Sequence, residues 1–160
     1  MSVAEQSAEA SLGRARPPAP VDGLVLGTVY ASAAVVPDGT PIPRTEDPVG
    51  EYVPTARPGS RAPHLWLDDD HTRSTLDLFG RAMVLLVGPN GAPWHEQAKA
   101  IGGVPLEVQE MTHPGWPDLY GVGVDGAVPV RPDGFVAWRS AGSPADDDAL
   151  ALALRRVLGT

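Results

Sequence analysis

The chain has 160 residues, 12 Lys or Arg against 20 Asp or Glu, a formal net charge of −8 and no cysteine. That length fits one domain with its own core; a nucleotide- or flavin-binding domain plus a substrate domain does not fit. An acidic surface repels phosphate backbones, and the lack of cysteine excludes disulfides, thiolate catalysis, Cys-ligated zinc and iron–sulfur clusters.

No apolar run reaches the roughly 18–20 residues of a membrane span, and Met1 to Leu12 lacks the basic start and apolar block of a secretory signal. The expectation is a cytoplasmic protein with neither a membrane nor a nucleic-acid partner. With 18 Gly and 18 Pro, elements should be short and loops long.

Residues 1–20 read as a disordered leader ending in Arg14-Ala15-Arg16-Pro17-Pro18-Ala19-Pro20, a composition that favours extended, unpaired backbone. Residues 21–63 read as an extended, irregular segment with one or two strands. Leu24 to Val36 is apolar and β-branched and stops at the turn signal Pro37-Asp38-Gly39. Prolines at 37, 41, 43, 48, 54, 58 and 63 then forbid a helix.

Residues 64–160 carry the regular elements. His64 to Leu67 predicts a short strand, Asp68-Asp69-Asp70-His71 a turn, and Ser74 to Phe79 a further ordered piece. Ala82 to Val87 is a continuous apolar run, the pattern of a strand buried on both faces, and Gly88-Pro89-Asn90-Gly91 breaks it. Pro93 to Ile101 predicts a helix: Pro93 suits the first turn, Trp94, Ala98 and Ile101 share a face, and Gly102-Gly103 stops it. Val104 to Val108 predicts the next strand. Ala127 to Val130 and Phe135 to Trp138 flank Arg131-Pro132-Asp133-Gly134, a hairpin. Ser143, Pro144 and Asp146 predict a capped helix start. Leu150, Leu154, Val157 and Leu158 form that helix's apolar face, Arg155 and Arg156 suit its C-terminal dipole, and Gly159 ends it. The order β-α-β, then β-hairpin, then α describes an α/β, thioredoxin-like core with a Pro-rich irregular N-terminal extension.

Four separated blocks carry a family resemblance: Pro58-Gly59-Ser60-Arg61-Ala62-Pro63-His64-Leu65-Trp66-Leu67, Thr75-Leu76-Asp77-Leu78-Phe79-Gly80, Val84-Leu85-Leu86-Val87, and Val130 through Arg139. In this order they resemble the C-terminal, thioredoxin-like domain of FAD-dependent aromatic hydroxylases, both of the phenol hydroxylase type and of the type that tailors aromatic polyketide antibiotics. The likeness spans about residues 52–140, and Leu24 to Gly39 resembles the chain that leads into that domain. The resemblance implies a module that supports assembly, covers part of a flavin domain and has lost thioredoxin's dithiol. Consistently, Gly88-Pro89-Asn90-Gly91-Ala92-Pro93-Trp94 holds no cysteine, so thiol–disulfide exchange is impossible. The chain is expected to be either a free-standing copy of the module or a fragment of a longer protein, with no cofactor of its own. A flavoprotein monooxygenase is its expected partner, an aromatic polyketide its candidate ligand and a homodimer its expected assembly. The turn Asp68-Asp69-Asp70-His71-Thr72-Arg73 is longer and more acidic than the family's usual Asp-Gly-type turn.

Individual motifs read as follows. Gly121-Val122-Gly123-Val124-Asp125-Gly126 matches GxGxxG, yet the strand-like Ala127-Val128-Pro129-Val130 follows it where a dinucleotide site needs a helix N-terminus. It reads as a loop into a hairpin. Asp68, Asp69, Asp70 and His71 read as a solvated acidic turn, and His64, His95 and His113 lack metal-ligand spacing, so no metal is expected. His64 and Asp77 form the most interesting polar pair, since a carboxylate can orient an imidazole for acid–base work; a structural hydrogen bond is the favoured reading. Arg61, Arg131 and Arg139 read as scaffold ion pairs, with Asp133 and Asp77 as partners. Trp66 and Trp138 read as core and Trp116, in a Pro-Gly loop, as the exposed contact. Two functions of different class follow. The first is a non-catalytic accessory, dimerisation or docking partner in aromatic polyketide biosynthesis. The alternative is a small cofactor-free cyclase, isomerase or hydratase, with His64, Asp77, Tyr120 and Arg131 as candidate catalytic residues.

Overall fold

The computed structural model describes residues 20–160; the expected leader lies, but for Pro20, outside the described residues. In chain order the elements are α1 (Asp22–Leu26), a 3-10 turn (Thr75–Leu78), β1 (Met83–Val87), α2 (Ala92–Ala100), β2 (Leu106–Glu110), α3 (Trp116–Tyr120), β3 (Ala127–Val130) and α4 (Ala149–Leu158). The strands form one mixed sheet ordered β2-β1-β3. β1 pairs in parallel with β2, Leu85 opposite Val108, and antiparallel with β3, Leu85 opposite Pro129.

β1 is buried at all five positions because the sheet is covered on both faces. Val84 and Leu86 join Met111, Trp116, Tyr120 and Val128 on one side. Leu85 and Val87 join Trp94, Leu150 and Leu154 on the other. Burying each such side chain stabilises the fold by about 1.5–3 kcal/mol relative to exposure. β2 is the outer strand, and Glu107, Val108 and Glu110 are exposed on it.

The predicted order of core elements is present, with local differences. β2 starts two residues later than expected, since Pro105 lacks the N–H a ladder needs; its carbonyl accepts from Met83 N instead. The second hairpin arm is bridged rather than laddered: Val136 faces Val130 and Ser140 faces Ala127. Four residue steps there oppose three on β3, so one residue bulges. Residues 59–62 lie against this arm, with Arg61 bridging Phe135 and Val136 N donating to Ser60 O.

Three expected elements are overturned. His64 to Leu67 is no strand and carries only a single bridge, from Trp66 to Ser74. Leu24 to Val36 is not a strand. Its first residues belong to α1, and the rest touches the core through single hydrogen bonds, Tyr30 N to Gly59 O and Val36 N to Ala137 O. Packing overrides β propensity here: α1 sits so close to the loop at 48–51 that a Cβ on Gly23 would lie 2.3 Å from Glu51 O. Nor does Ser143 cap the last helix, which begins at Ala149 with no side-chain cap of its own N-cap residue, Asp148. The Ser143 hydroxyl donates to Asp125 Oδ2 (2.8 Å). Gln97 of α2 replaces it: its Oε1 accepts from Leu150 N (2.9 Å) and its Nε2 donates to Asp146 O (2.6 Å).

The arm before residue 60 is fastened by arginines. Arg139 donates from Nε to Asp38 Oδ2 (2.5 Å), from Nη2 to Thr40 Oγ1 (2.6 Å) and from Nη1 to Tyr120 O (2.9 Å). Arg57 Nε donates to Thr40 O (2.6 Å). Burial by itself would raise the Asp38 carboxyl. Hydrogen bonds from Thr40 and Arg139, together with the Arg139 charge, outweigh it and hold the group below its ordinary value of 3.8.

Gln97→Ala is expected to lower stability by about 1 kcal/mol, read as a lower urea midpoint at unchanged slope. Asp38 has a depressed folded pKa, so its contribution is present above the unfolded value and lost as pH falls through the folded one. The stability difference between wild type and Asp38→Asn should therefore be largest at neutral pH and shrink below the ordinary carboxylate range; a difference constant with pH would refute this.

Candidate functional site

One carbonyl organises the segment that carries the candidate histidine. Pro63 O accepts from Tyr120 Oη (2.5 Å) and Thr75 Oγ1 (2.9 Å). Leu65 N donates to Thr75 Oγ1 (3.0 Å), and Thr75 N returns a bond to Leu65 O (2.9 Å). Thr75 and Tyr120 are fully buried, whereas Arg61 and His64, on either side of Pro63, are exposed.

These two line a groove of about 370 Å³, within the range of small-molecule clefts. Its apolar walls include Leu26 of α1, Ala62, Leu76 and Phe79; Tyr52 and the turn Pro132-Asp133-Gly134 complete it. The Arg61 guanidinium lies 4.8 Å from the centre of the Phe135 ring, a cation–π contact. Among the described residues Arg61 forms no ion pair. Burial raises the Tyr52 phenol above its ordinary pKa against the opposing charge of Arg61. The groove can thus hold a flat apolar group with a cation at its margin.

The four candidate catalytic residues do not converge on this groove. His64 lines it and packs edge-on against Trp66, ring centres 4.6 Å apart. Arg131 stands behind it, bound through Nη2 to Asp133 Oδ2 (2.5 Å). Asp77 closes the capping box of the 3-10 turn, its Oδ2 accepting from Ser74 N (2.7 Å); no hydrogen bond joins it to His64 among the described residues. Tyr120 lies in the core with its hydroxyl on Pro63 O, and burial holds it protonated far above the usual tyrosine range.

Other motifs find structural places. Trp116, expected as an exposed contact, is buried at the start of α3 and donates from its indole to Gly123 O (3.3 Å). The GxGxxG match begins at the left-handed C-cap Gly121 and leads into β3. Both Asp68 oxygens accept from Thr72, so the acidic turn is closed on itself. Arg131 pairs with Asp133 as expected, while Arg139 takes Asp38, a partner 101 positions away that local sequence does not signal. Among the described residues no helix is long and apolar enough to cross a membrane.

The model of the aromatic-ring hydroxylase C-terminal domain matches residues 55–160. The chain belongs to that family. Among relatives of this hydroxylase C-terminal domain, a 4-methyl-5-nitrocatechol 5-monooxygenase of a Burkholderia species is 45% identical over 115 residues, covering 64% of this chain and 21% of that protein. The aklavinone 12-hydroxylase RdmE of Streptomyces purpurascens is 40% identical over 145 residues, 84% of this chain and 26% of its own length. The crystal structure of the flavin-dependent monooxygenase PieE with FAD and substrate superposes with a TM-score of 0.76 at 39% identity, over 87% of this chain and 26% of that one. An aklavinone-11 hydroxylase solved with FAD and aklavinone gives 0.75 at 35% identity, over 94% and 28%. The chain therefore spans about a quarter of the length of these relatives.

Within the domain, Tyr120→Phe should cost about 1–2 kcal/mol by leaving the bond to Pro63 O unmade, while His64→Ala should change stability by no more than about 0.5 kcal/mol. Urea midpoints of the two variants test this; equal costs would contradict the division between a structural tyrosine and an unencumbered histidine.

Proposed function

We propose that this hydroxylase C-terminal domain is a non-catalytic docking module that packs against the flavin- and substrate-binding body of an FAD-dependent aromatic hydroxylase of the polyketide-tailoring kind. The observation that carries the reading is where apolar surface remains open. Of the thirteen large apolar side chains exposed among the described residues, eight lie between Val21 and Val53, including Leu24 (63% exposed), Val25 (56%) and Ile42 (55%). Exposed apolar side chains concentrated in one stretch of chain are what an association surface would draw on. The Arg139 clamp and the Tyr30 and Val36 backbone bonds hold it in place before any partner arrives, which reduces the entropy lost on docking.

The occupant follows from the relatives. Matches covering 84–94% of this chain, arm included, occupy about a quarter of hydroxylases whose remaining length lies outside the match. The arm precedes the matched C-terminal domain in sequence, the side on which the rest of such an enzyme would lie. A homodimer through the same apolar arm is the competing assembly.

A cofactor-free acid–base enzyme acting on an aromatic polyketide is the second reading, favoured by the groove with His64 and Arg61 at its margin. Against it, Asp77, Tyr120 and Arg131 are each engaged elsewhere, and a lone imidazole has no partner to orient it.

Affinity capture of the tagged chain from its source cells should retain, in stoichiometric amount, a flavoprotein identified by sequence as an aromatic hydroxylase, with flavin absorbance in the eluate. Leu24→Asp with Val25→Asp should abolish that capture while the circular dichroism spectrum is unchanged. A flavin-free homo-oligomer would overturn the docking reading in favour of self-association.

A further inference from the structure

The groove beside Pro63 presents a cation on a rigid support. Tyr120 and Thr75 pin the Pro63 carbonyl, and the flanking Arg61 and His64 line the groove while remaining exposed. A main-chain bridge to Phe135 and the stacking of the guanidinium over that ring steady Arg61 further. Among the described residues no carboxylate pairs with Arg61. The carboxylate in the groove lining, Asp133, is taken by Arg131 Nη2 (2.5 Å) and by Phe135 N (3.3 Å). A chain of net charge −8 thus holds a positive group here without a counter-ion among the described residues.

The apolar part of the groove comes from two distant elements. Leu26 of α1 and Leu76 of the 3-10 turn are 38% and 54% exposed, and Ala62 and Phe79 add further apolar wall. The volume of about 370 Å³ is more than twice the roughly 150 Å³ that accepts one benzene-sized group, so two apolar side chains fit. A site for a small molecule encloses most of its ligand's surface. Here Arg61, His64, Leu76, Gly80 and Pro132 are all exposed on the lining, and a polypeptide segment covers such an open margin better than a compact ligand does. Duplex nucleic acid, with a charge every roughly 1.7 Å, is repelled by the acidic chain. One guanidinium instead matches one carboxylate, which it can hold through two parallel bonds. Leu26 also belongs to the exposed apolar arm, so the groove is continuous with the proposed docking surface.

We propose that this groove receives an extended segment of the partner flavoprotein in which one carboxylate side chain is flanked by two large apolar ones, the carboxylate on Arg61 and the apolar pair against Leu26 and Leu76. The identity of the partner rests on the docking reading; the chemistry of the groove does not.

The first test titrates the full chain with N-acetyl-Leu-Glu-Phe amide, its Gln counterpart and benzoate, followed by amide chemical shifts. The acidic peptide should saturate, with shifts centred on residues 61–64, 76–80 and 132–134. The neutral peptide should bind about tenfold more weakly, the worth of a charge-assisted hydrogen bond. Arg61→Gln should remove that difference, and Leu76→Ser should weaken both peptides alike; both positions are exposed, and unchanged circular dichroism checks the fold. Equal binding of the two peptides by the wild type would overturn the proposal. So would shifts confined to other residues, or benzoate binding as tightly as the acidic peptide, which would make this a small-molecule site. The second test measures the captured flavoprotein, once isolated, against wild type and Arg61→Gln, whose Kd should be about tenfold higher. Equal affinities would overturn the proposal and leave the docking reading standing. If no flavoprotein binds the wild type, both fall, and a normal peptide titration then shows that the partner, not the groove chemistry, was at fault.

Discussion

The molecule depends on one guanidinium. Arg139 leaves the bulged end of the hairpin and reaches three acceptors in different parts of the chain: the Asp38 carboxylate, the Thr40 hydroxyl and the Tyr120 carbonyl at the end of α3. A planar fork with fixed donors can satisfy such a set, and a lysine ammonium would not reproduce it. The approach needs room as well. Gly121 caps α3 with φ of 65°, and a Cβ there would lie 2.7 Å from Arg139 Nη1. Glycine at 121 thus serves a left-handed turn and a close contact together. Without the clamp, a segment rich in proline and poor in regular hydrogen bonds would have little to fix it to the sheet.

With the arm in place, Tyr52 divides two recesses of different character. On one side is the larger groove, with apolar walls and Arg61, which forms no ion pair among the described residues; on the other, a smaller cavity lined by apolar side chains and Glu51. Neither belongs to the sheet core, whose side chains are buried on both faces. The hydroxyl of Tyr120, a candidate catalytic group by sequence, instead holds the backbone at Pro63 together with that of Thr75. The groove is consequently built where residues 61–80 and the 132–134 turn meet Leu26 and Tyr52 of the arm, whereas the smaller cavity is lined by residues 23–60.

What could be read from the sequence follows the range of the interactions involved. β1 was legible because five consecutive buried apolar residues have few other fates. α2 was legible through Pro93 and the Trp94 face, and the hairpin turn through Arg131-Pro132-Asp133-Gly134. These signals are local. The failures are nonlocal. Leu24 to Val36 has strand composition, yet no open strand edge receives it. Ser143 has the right spacing for a cap, yet Asp125 competes for its hydroxyl, and Gln97, 53 residues before Leu150, does the capping. Trp116 sits among Pro and Gly, which suggested a loop, while the indole is drawn inside by the core around Met111 and Tyr120. His64 lines a groove the structure opens, but Asp77, its expected partner, is turned to the 3-10 cap.

The outer strand sets a limit on how copies of this chain can meet. Among the described residues β2 is an edge strand of the sheet, the usual template for adding one sheet to the next. Pairing two β2 strands edge to edge would bring Glu107 and Glu110 of one copy alongside those of the other, a repulsion that opposite-charge pairs would otherwise turn to attraction. The protein can therefore expose apolar side chains on its arm while edge-to-edge growth of its sheet through β2 meets a line of like charge.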